Sequence, residues 1–98
     1  MVKHIVMWTV KATEQTRQEN IQKMKIELMR LPELINEIKG YEIGVNSVDS
    51  AAAYDVVLIS EFASWQDLDV YRNHAEHVKV AQFINGVRDK VAVVDYEK

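Results

Sequence analysis

The chain has 98 residues, 48% of them hydrophobic, and it contains no cysteine. We expect one domain spanning residues 1–98, because two domains of half this length would each lack a sufficient core. Without cysteine the chain forms no disulfide, thiolate metal site or cysteine nucleophile. The formal net charge of -3 offers phosphates no basic field, so nucleic-acid binding is disfavoured.

An apolar run near the N-terminus, residues 5–8, is too short for the core of a secretion signal, and no small-residue cleavage site follows it. No stretch of the sequence approaches the ~20 apolar residues that a membrane-spanning helix needs. We therefore expect a cytoplasmic protein that does not associate with membranes.

Four segments have the composition and alternation of β-strands. They are residues 3–11, 41–48, 54–62 and 90–96. The first and third are apolar on both faces, which indicates that both faces of the sheet are covered. Side chains alternate along a strand, so His4, Val6 and Trp8 share one face of the first strand.

The first helical segment lies between the first two strands. Thr13 is predicted to cap it, and apolar residues at spacings of three and four predict a helix over residues 14–31. Pro32 disfavours helical geometry in the residue before it, so it ends this helix or begins a new turn. A short helical piece over residues 34–38 follows, and Gly40 is a candidate C-terminal cap.

The second helical segment lies between the last two strands. Ser64 and Asp67 resemble a capping box at its start. Asn73 and His74 predict a break, and the apolar spacing predicts a further helix over residues 77–87.

The order of elements is therefore β-α-β-β-α-β, with each helical segment divided in two. Right-handed crossovers place both segments on one face of a four-stranded antiparallel sheet, which is an α+β, ferredoxin-like arrangement. Helices on one side cannot cover strands that are apolar on both faces. The simplest solution is a homodimer in which two sheets face one another and close a shared dimeric α/β barrel.

Three stretches have the pattern of a known family: YDVVLISEF, SWQDLDVYRNHAEHVKVAQFI and VAVVDYE. Together with the opening KHIVMWTVK, they resemble the stress-responsive dimeric α/β-barrel (Dabb) domain over essentially the whole chain. The most specific part is a Tyr-x-x-His-x-x-His arrangement at Tyr71, His74 and His77. The resemblance implies a ferredoxin-like protomer, a homodimeric barrel, often a stress-associated expression pattern and, in many members, no assigned reaction.

Some plant members of this family are cofactor-independent polyketide cyclases, in which the histidine matching His77 is the base and the tyrosine matching Tyr71 is its partner. Two positions depart from the family pattern. Ala75 stands where members commonly have proline, a mild change that affects the first turn of a helix. Val56 stands where the cyclases have a histidine, which implies a more apolar cavity and argues against cyclisation of a phenolic polyketide.

Histidine is the side chain best suited to moving protons near neutral pH. His77 as base, Tyr71 as hydrogen-bond donor and His4 across the cavity form the candidate catalytic set, able to take a proton from a carbon next to a carbonyl. The candidate residues that line the pocket are His74, Trp8, Val56 and Phe83. In a competing interpretation, His74 and His77 only satisfy backbone groups where two helices meet, and the hydroxyl of a core Tyr71 is tied to a neighbour.

Metal and cofactor sites find no support in the sequence. HAEH, residues 74–77, separates its histidines by three positions, whereas the helical zinc motif needs a spacing of four and a third ligand elsewhere. The three glycines are too dispersed for a phosphate-binding loop. We expect neither a metal nor an organic cofactor.

These observations favour a small homodimeric barrel protein that binds a small apolar or carbonyl-containing molecule, or whose activity is unassigned. The first alternative is a cofactor-independent enzyme, a polyketide-type cyclase or a monooxygenase-like protein, that uses the His/Tyr pair. The second is a structural assembly module. A cavity reached by His77 and Tyr71 favours a binder or an enzyme, whereas a space filled by Trp8, Phe83 and Val56 excludes both.

Overall fold

The computed structural model describes residues 1–98. In chain order the elements are β1 (Val2–Val10), α1 (Arg17–Met29), α2 (Leu31–Leu34), β2 (Gly40–Val45), β3 (Val56–Phe62), α3 (Trp65–Asn73), α4 (Ala75–Val87) and β4 (Arg88–Glu97). The strands form one antiparallel sheet in the order β2-β3-β1-β4, which is the ferredoxin-like arrangement that the sequence predicts. None of the helices combines the length and apolar character needed to cross a bilayer.

The two faces of the sheet differ in burial. On β1, Val2, Val6 and Val10 are buried, whereas the alternate residues, including Ile5 and Met7, are partly exposed. β3 repeats this alternation along its whole length. The sheet therefore has one face covered by the helices and one apolar face that a single chain leaves open, as the two-sided strands predict.

One row of residues across the covered face is polar on all four strands. Tyr41 on β2 pairs with Ser60 on β3, Ser60 pairs with His4 on β1, and His4 pairs with Asp95 on β4. The adjacent row is entirely apolar and consists of Ile43, Leu58, Val6 and Val93. His4 and Ser60, the buried polar residues of the sheet, therefore both lie in this one row.

The helix α1 begins at residue 17 rather than at residue 14 as predicted. Thr16, and not Thr13, is its N-cap: the Thr16 hydroxyl accepts a hydrogen bond from the Glu19 N–H, and the Glu19 carboxylate accepts one from the Thr16 N–H. This reciprocal capping box satisfies two backbone donors at once, which favours the later start. Thr13 instead accepts a hydrogen bond from the side-chain amide of Asn20.

The segment after α1 also differs from the prediction. α1 ends at Met29, and Pro32 lies in the first turn of α2, where its missing N–H has no helical partner to lose. α2 ends at Leu34 because Ile35 has an extended backbone. Gly40 is therefore the first residue of β2 and not the cap of a helix.

His74 joins the two halves of the second helical segment. It ends α3 and caps α4, where its Nδ1 accepts a hydrogen bond from the Glu76 N–H at 3.1 Å. α4 accordingly begins at Ala75, two residues before the predicted start at His77. The predicted cap of α3, Ser64, is present.

Candidate functional site

A cavity of about 390 Å³ lies between the covered face of the sheet and helices α3 and α4. Nine of its 13 lining residues are hydrophobic, so its walls suit a small, mostly apolar molecule. Strand residues form its floor, residues of α3 and α4 form the opposite wall, and Leu28 of α1 also lines it. Arg72, Asn85 and Val93 at the rim are exposed, which leaves the cavity open to solvent on that side.

Four of the predicted site residues line this cavity: His4, Trp8, Tyr71 and His77. His4 and Trp8 reach it from β1, because alternation places both on the covered face. Tyr71 comes from the end of α3 and His77 from the first turn of α4, and the tight link at His74 brings these helix ends together. The structure therefore gathers the candidate catalytic set around one space.

Three predicted lining residues do not contact the cavity. His74 uses its ring nitrogen to cap α4. Phe83 lies against α1, where Lys23 Nζ is 4.9 Å from its ring centroid. Val56 is on the covered face opposite Trp8, but it lies at the start of β3 beside a separate depression. The departure of Val56 from the cyclase pattern therefore does not change the walls of this cavity.

A hydrogen bond from its ring to a backbone carbonyl holds His77 in one tautomer. Its Nδ1 donates to the Arg72 carbonyl oxygen at 3.0 Å, so Nε2 carries the lone pair, and Nε2 makes no hydrogen bond. Burial lowers the pKa of His77 from its usual 6.5, although the bond to the Arg72 carbonyl opposes this effect. The ring is therefore neutral near pH 7, and Nε2 is available to accept a proton or a hydrogen bond.

Tyr71 separates the two imidazoles of the cavity. Its side chain is completely buried, and its ring centroid lies 4.5 Å from that of His77 and 6.1 Å from that of His4. The hydroxyl is shielded from solvent and makes no hydrogen bond of normal geometry. His74 and His77, by contrast, both contact backbone groups where the two helices meet, as the competing interpretation expects. Burial raises the pKa of Tyr71 to about 12, which keeps the phenol protonated at neutral pH.

Asp95 is a site residue that the sequence analysis misses. Its carboxylate accepts a hydrogen bond from His4 Nδ1, and its other oxygen lies 2.6 Å from Arg72 Nη2. The carboxylate therefore orients the His4 ring and connects β4 to α3 at the rim. The stretch VAVVDY contains the signal, because its one charged residue falls on the same strand face as Val91 and Val93.

The cavity combines an imidazole, a phenol and apolar walls. The neutral His77 can take a proton from a carbon next to a carbonyl, and a phenol such as Tyr71 can stabilise the negative charge that develops on oxygen. Apolar surroundings strengthen both interactions because they exclude competing water. No group of three or more histidine, aspartate or glutamate side chains is arranged to hold a metal ion.

Comparison with known sequences identifies one family. The model of the stress responsive A/B barrel domain matches residues 2–98. No curated protein matches the chain.

Comparison with solved structures finds the same fold in several organisms. A dimeric protein with a ferredoxin-like fold from Bacteroides fragilis is 29% identical, with a TM-score of 0.81 over 99% of this chain and 95% of that one. A protein from Arabidopsis thaliana is 27% identical, with a TM-score of 0.84 over 100% of this chain and 95% of that one. The hydroxynitrile lyase of Passiflora edulis shares the fold at 21% identity, with a TM-score of 0.82 over 97% and 90% of the two chains.

Proposed function

The chain belongs to the stress responsive A/B barrel domain family, and we propose that it binds a small, mostly apolar molecule with a carbonyl group. One observation carries this proposal: the cavity places an uncharged imidazole beside a phenol within apolar walls. A concave, mostly apolar space of about 390 Å³ with a few polar groups is the usual form of a small-molecule site, and a module that serves assembly alone does not need one. Binding is therefore favoured over the structural alternative.

We infer that the binding unit is a homodimer formed through the open face of the sheet. This face carries Ile5, Met7, Val57 and Ile59 on its two central strands, and Val94 beside them is 57% exposed. A contiguous apolar surface of this kind marks an interaction site. The Bacteroides fragilis protein, which is described as dimeric, supports the pairing of two copies.

The binding experiment uses 2-octanone as its probe, because this molecule combines a short alkyl chain with one carbonyl. Trp8 lines the cavity and Trp65 does not, so Trp65→Phe leaves a single tryptophan that reports on the site. We expect a saturable change in the Trp8 emission on titration with 2-octanone. Octane, which lacks the carbonyl, is expected to bind more weakly because it accepts no hydrogen bond.

A matched pair of variants on α4 locates the binding. Ala81→Phe fills the cavity, so it should abolish the response. Val78→Phe adds bulk to a side chain that is 42% exposed and outside the cavity, so it should leave the response intact. A response that survives Ala81→Phe, or no saturable response in the parent protein, contradicts the proposal.

The second candidate function is cofactor-independent proton abstraction, favoured by the position of His77 Nε2. In this reaction Nε2 takes a proton from the carbon next to a ligand carbonyl, and the Tyr71 hydroxyl donates a hydrogen bond to the enolate oxygen. Return of the proton from His77 to carbon regenerates the ketone. The Passiflora edulis protein, named a hydroxynitrile lyase, indicates that the fold is compatible with enzymes.

Deuterium incorporation tests this second function. We expect the protein in D₂O to accelerate exchange at the carbons flanking the carbonyl of 2-octanone, measured by proton NMR. His77→Gln should reduce the exchange to the buffer rate, because glutamine does not accept a proton. His74→Asn, which keeps an acceptor at the α4 cap and lies outside the cavity, should exchange like the parent protein. Exchange that persists in His77→Gln removes His77 as the base.

A further inference from the structure

His4 brings a second imidazole to the cavity, and one of its two ring nitrogens has no partner in the protein. The side chain is 9% exposed and lines the cavity from β1. Its Nδ1 contacts the Asp95 carboxylate, whereas Nε2 makes no hydrogen bond. Buried polar atoms nearly always have a partner, because leaving one unpaired is unfavourable. The partner of His4 Nε2 therefore has to come from the contents of the cavity.

The charges around Asp95 indicate which nitrogen of His4 carries the proton. The carboxylate lies between His4 Nδ1 and Arg72 Nη2, and the second contact is 2.6 Å long. Arginine is always positively charged, so Arg72 already balances the charge of Asp95. The other acidic contact of Arg72, Asp69, is 69% exposed and contributes little. A protonated His4 would add an unbalanced charge to a mostly apolar cavity, which is unfavourable.

A neutral His4 that donates from Nδ1 to Asp95 has its lone pair on Nε2, so this nitrogen is a hydrogen-bond acceptor. His77 presents a second acceptor nitrogen to the same cavity, because its Nδ1 is bound to a backbone carbonyl. The Tyr71 hydroxyl makes no hydrogen bond of normal geometry and has one proton to donate. The site therefore combines one donor with two acceptors.

A simple ketone matches only part of this set. Its oxygen accepts one hydrogen bond, and in proton abstraction a carbon-bound hydrogen meets His77. It has no hydrogen-bond donor for His4, so its binding removes water from Nε2 and puts nothing in its place. A ligand that also carries a hydroxyl group would satisfy His4 as well.

The three rings surround one small space. The Tyr71 centroid lies 4.5 Å from that of His77 and 6.1 Å from that of His4. His77 faces the space from α4 and His4 faces it from the sheet. A ligand oxygen beside Tyr71 is therefore near both imidazoles, and a hydroxyl that reaches His4 has to be close to the carbonyl along the ligand chain.

We propose that the cavity takes a hydroxy ketone, with the hydroxyl on the carbon next to the carbonyl or one carbon further, and that His4 Nε2 accepts the hydrogen bond of this hydroxyl. Asp95 is a positioning residue, because its carboxylate keeps the proton of His4 on Nδ1, and Arg72 holds the carboxylate in place. This inference rests on the proposed binding of a carbonyl compound and specifies the class of that compound.

The first test needs no ligand. Nitrogen-15 NMR of the protein labelled in its histidine rings distinguishes protonated from unprotonated ring nitrogens. At pH 7.5 we expect His4 to be protonated on Nδ1 and unprotonated on Nε2. A proton on Nε2, either in the other tautomer or in a charged ring, overturns the assignment of this nitrogen as an acceptor.

The second test compares ligands by the Trp8 emission of the Trp65→Phe protein. The probes are 2-octanone, 3-hydroxy-2-octanone, 4-hydroxy-2-octanone and 3-methoxy-2-octanone. We expect the better of the two hydroxy ketones to bind about tenfold more tightly than 2-octanone, because one hydrogen bond forms and one acceptor no longer stays unpaired. The methoxy compound keeps the oxygen but has no proton to donate, so it should bind no more tightly than 2-octanone.

A matched pair of variants assigns this preference to His4. His4→Asn keeps an N–H close to the position of Nδ1 for Asp95 but has no nitrogen at the position of Nε2, so the tenfold preference should disappear. Ser60→Ala changes a polar residue that pairs with His4 in the sheet but lies outside the cavity, so it should keep the preference. The hydroxyl and methoxy ligands are compared with His4 present, so that comparison is decisive even if His4→Asn does not fold.

The outcomes separate this inference from the proposed function. Equal affinities for 2-octanone and both hydroxy ketones, a methoxy compound that binds as tightly as the hydroxy ketones, or a preference that survives in His4→Asn overturns the role of His4. A protein that gives no saturable response to any of the four probes overturns the proposed function instead.

Discussion

Asp95 lies directly opposite His4 in the β1–β4 ladder, and its carboxylate accepts a hydrogen bond from His4 Nδ1. Because the register places both residues on the covered face, the strand ladder and not a loop sets the position of this imidazole. The second carboxylate oxygen contacts Arg72 of α3. A single carboxylate thus connects the floor of the cavity to its opposite wall.

Asp95→Asn should destabilise the protein. The Asp95 carboxylate accepts hydrogen bonds from His4 and from Arg72, and an asparagine amide would turn its NH₂ group toward one of these two donors. We therefore expect the free energy of unfolding to fall by about 1–3 kcal/mol. Asp69→Asn is the matched control, because Asp69 contacts the same Arg72 but is 69% exposed. Urea denaturation of both variants measures the difference. Equal effects of the two substitutions would show that the His4–Asp95–Arg72 connection contributes nothing beyond a surface ion pair.

The lowered pKa of His77 predicts a pH-dependent stability. Between that lowered value and the usual 6.5, the unfolded chain binds more protons at this residue than the folded protein. The free energy of unfolding should therefore fall as the pH drops below 6.5. Above pH 6.5 the ring is neutral in both states, so His77 should no longer make the free energy of unfolding depend on pH. Urea midpoints at pH 7.5 and 5.5 should differ less in His77→Gln than in the parent protein. The other titrating groups are common to both proteins, so an identical pH dependence would refute the burial effect on His77.

The outline of the fold can be predicted from the alternation and spacing of apolar residues within short segments of the sequence. Strand alternation alone places His4 and Trp8 on one face of β1, and the excess of apolar residues on both faces predicts the open surface. Helix boundaries are less predictable, because Thr13 and Thr16 are both good caps in isolation. Only the reach of Glu19 back to the Thr16 N–H decides between them.

The Thr16 capping box makes a direct prediction for α1. Thr16→Ala removes the side-chain acceptor for the Glu19 N–H and should lower the free energy of unfolding by about 1 kcal/mol. Thr16→Ser keeps a hydroxyl and should stay close to the parent protein. Chemical denaturation of the two variants and of Thr13→Ala provides the measurement. If Thr13→Ala lowered the free energy of unfolding more than Thr16→Ala, Thr13 and not Thr16 would be the N-cap of α1.

The site is less predictable than the fold because its members are related by register. His77 and Tyr71 belong to one short motif, which is why the sequence suggests them together. Asp95 joins them through pairing with His4, 91 positions away along the chain, and through its contact with Arg72. Val56 is predicted to line the cavity but does not. Its side chain lies on the covered face as predicted, but its position at the start of β3 places it outside the cavity.

The open face of the sheet predicts the oligomeric state. Ile59 pairs with Ile5 at the middle of this face, so Ile59→Asp would place a charge where two sheets are expected to meet. Analytical ultracentrifugation should give about twice the 11.3 kDa chain mass for the parent protein and the single-chain mass for the variant. Val48→Asp is the control, because Val48 is 74% exposed and lies outside every strand. A parent protein that sediments as an 11.3 kDa species contradicts the dimer.

Chemical-shift mapping with 2-octanone tests the central claim most directly, because it reports where a small ketone binds over the whole chain. Amide resonances of the nitrogen-15-labelled protein should shift saturably around the cavity, with the largest changes at Val80, Ala81, Ile84 and Val93. The side-chain methyl resonances of Val57 and Ile59 on the open face should stay unchanged. Shifts confined to the open face, or no saturable shift at all, would contradict a ligand site between His77 and the sheet.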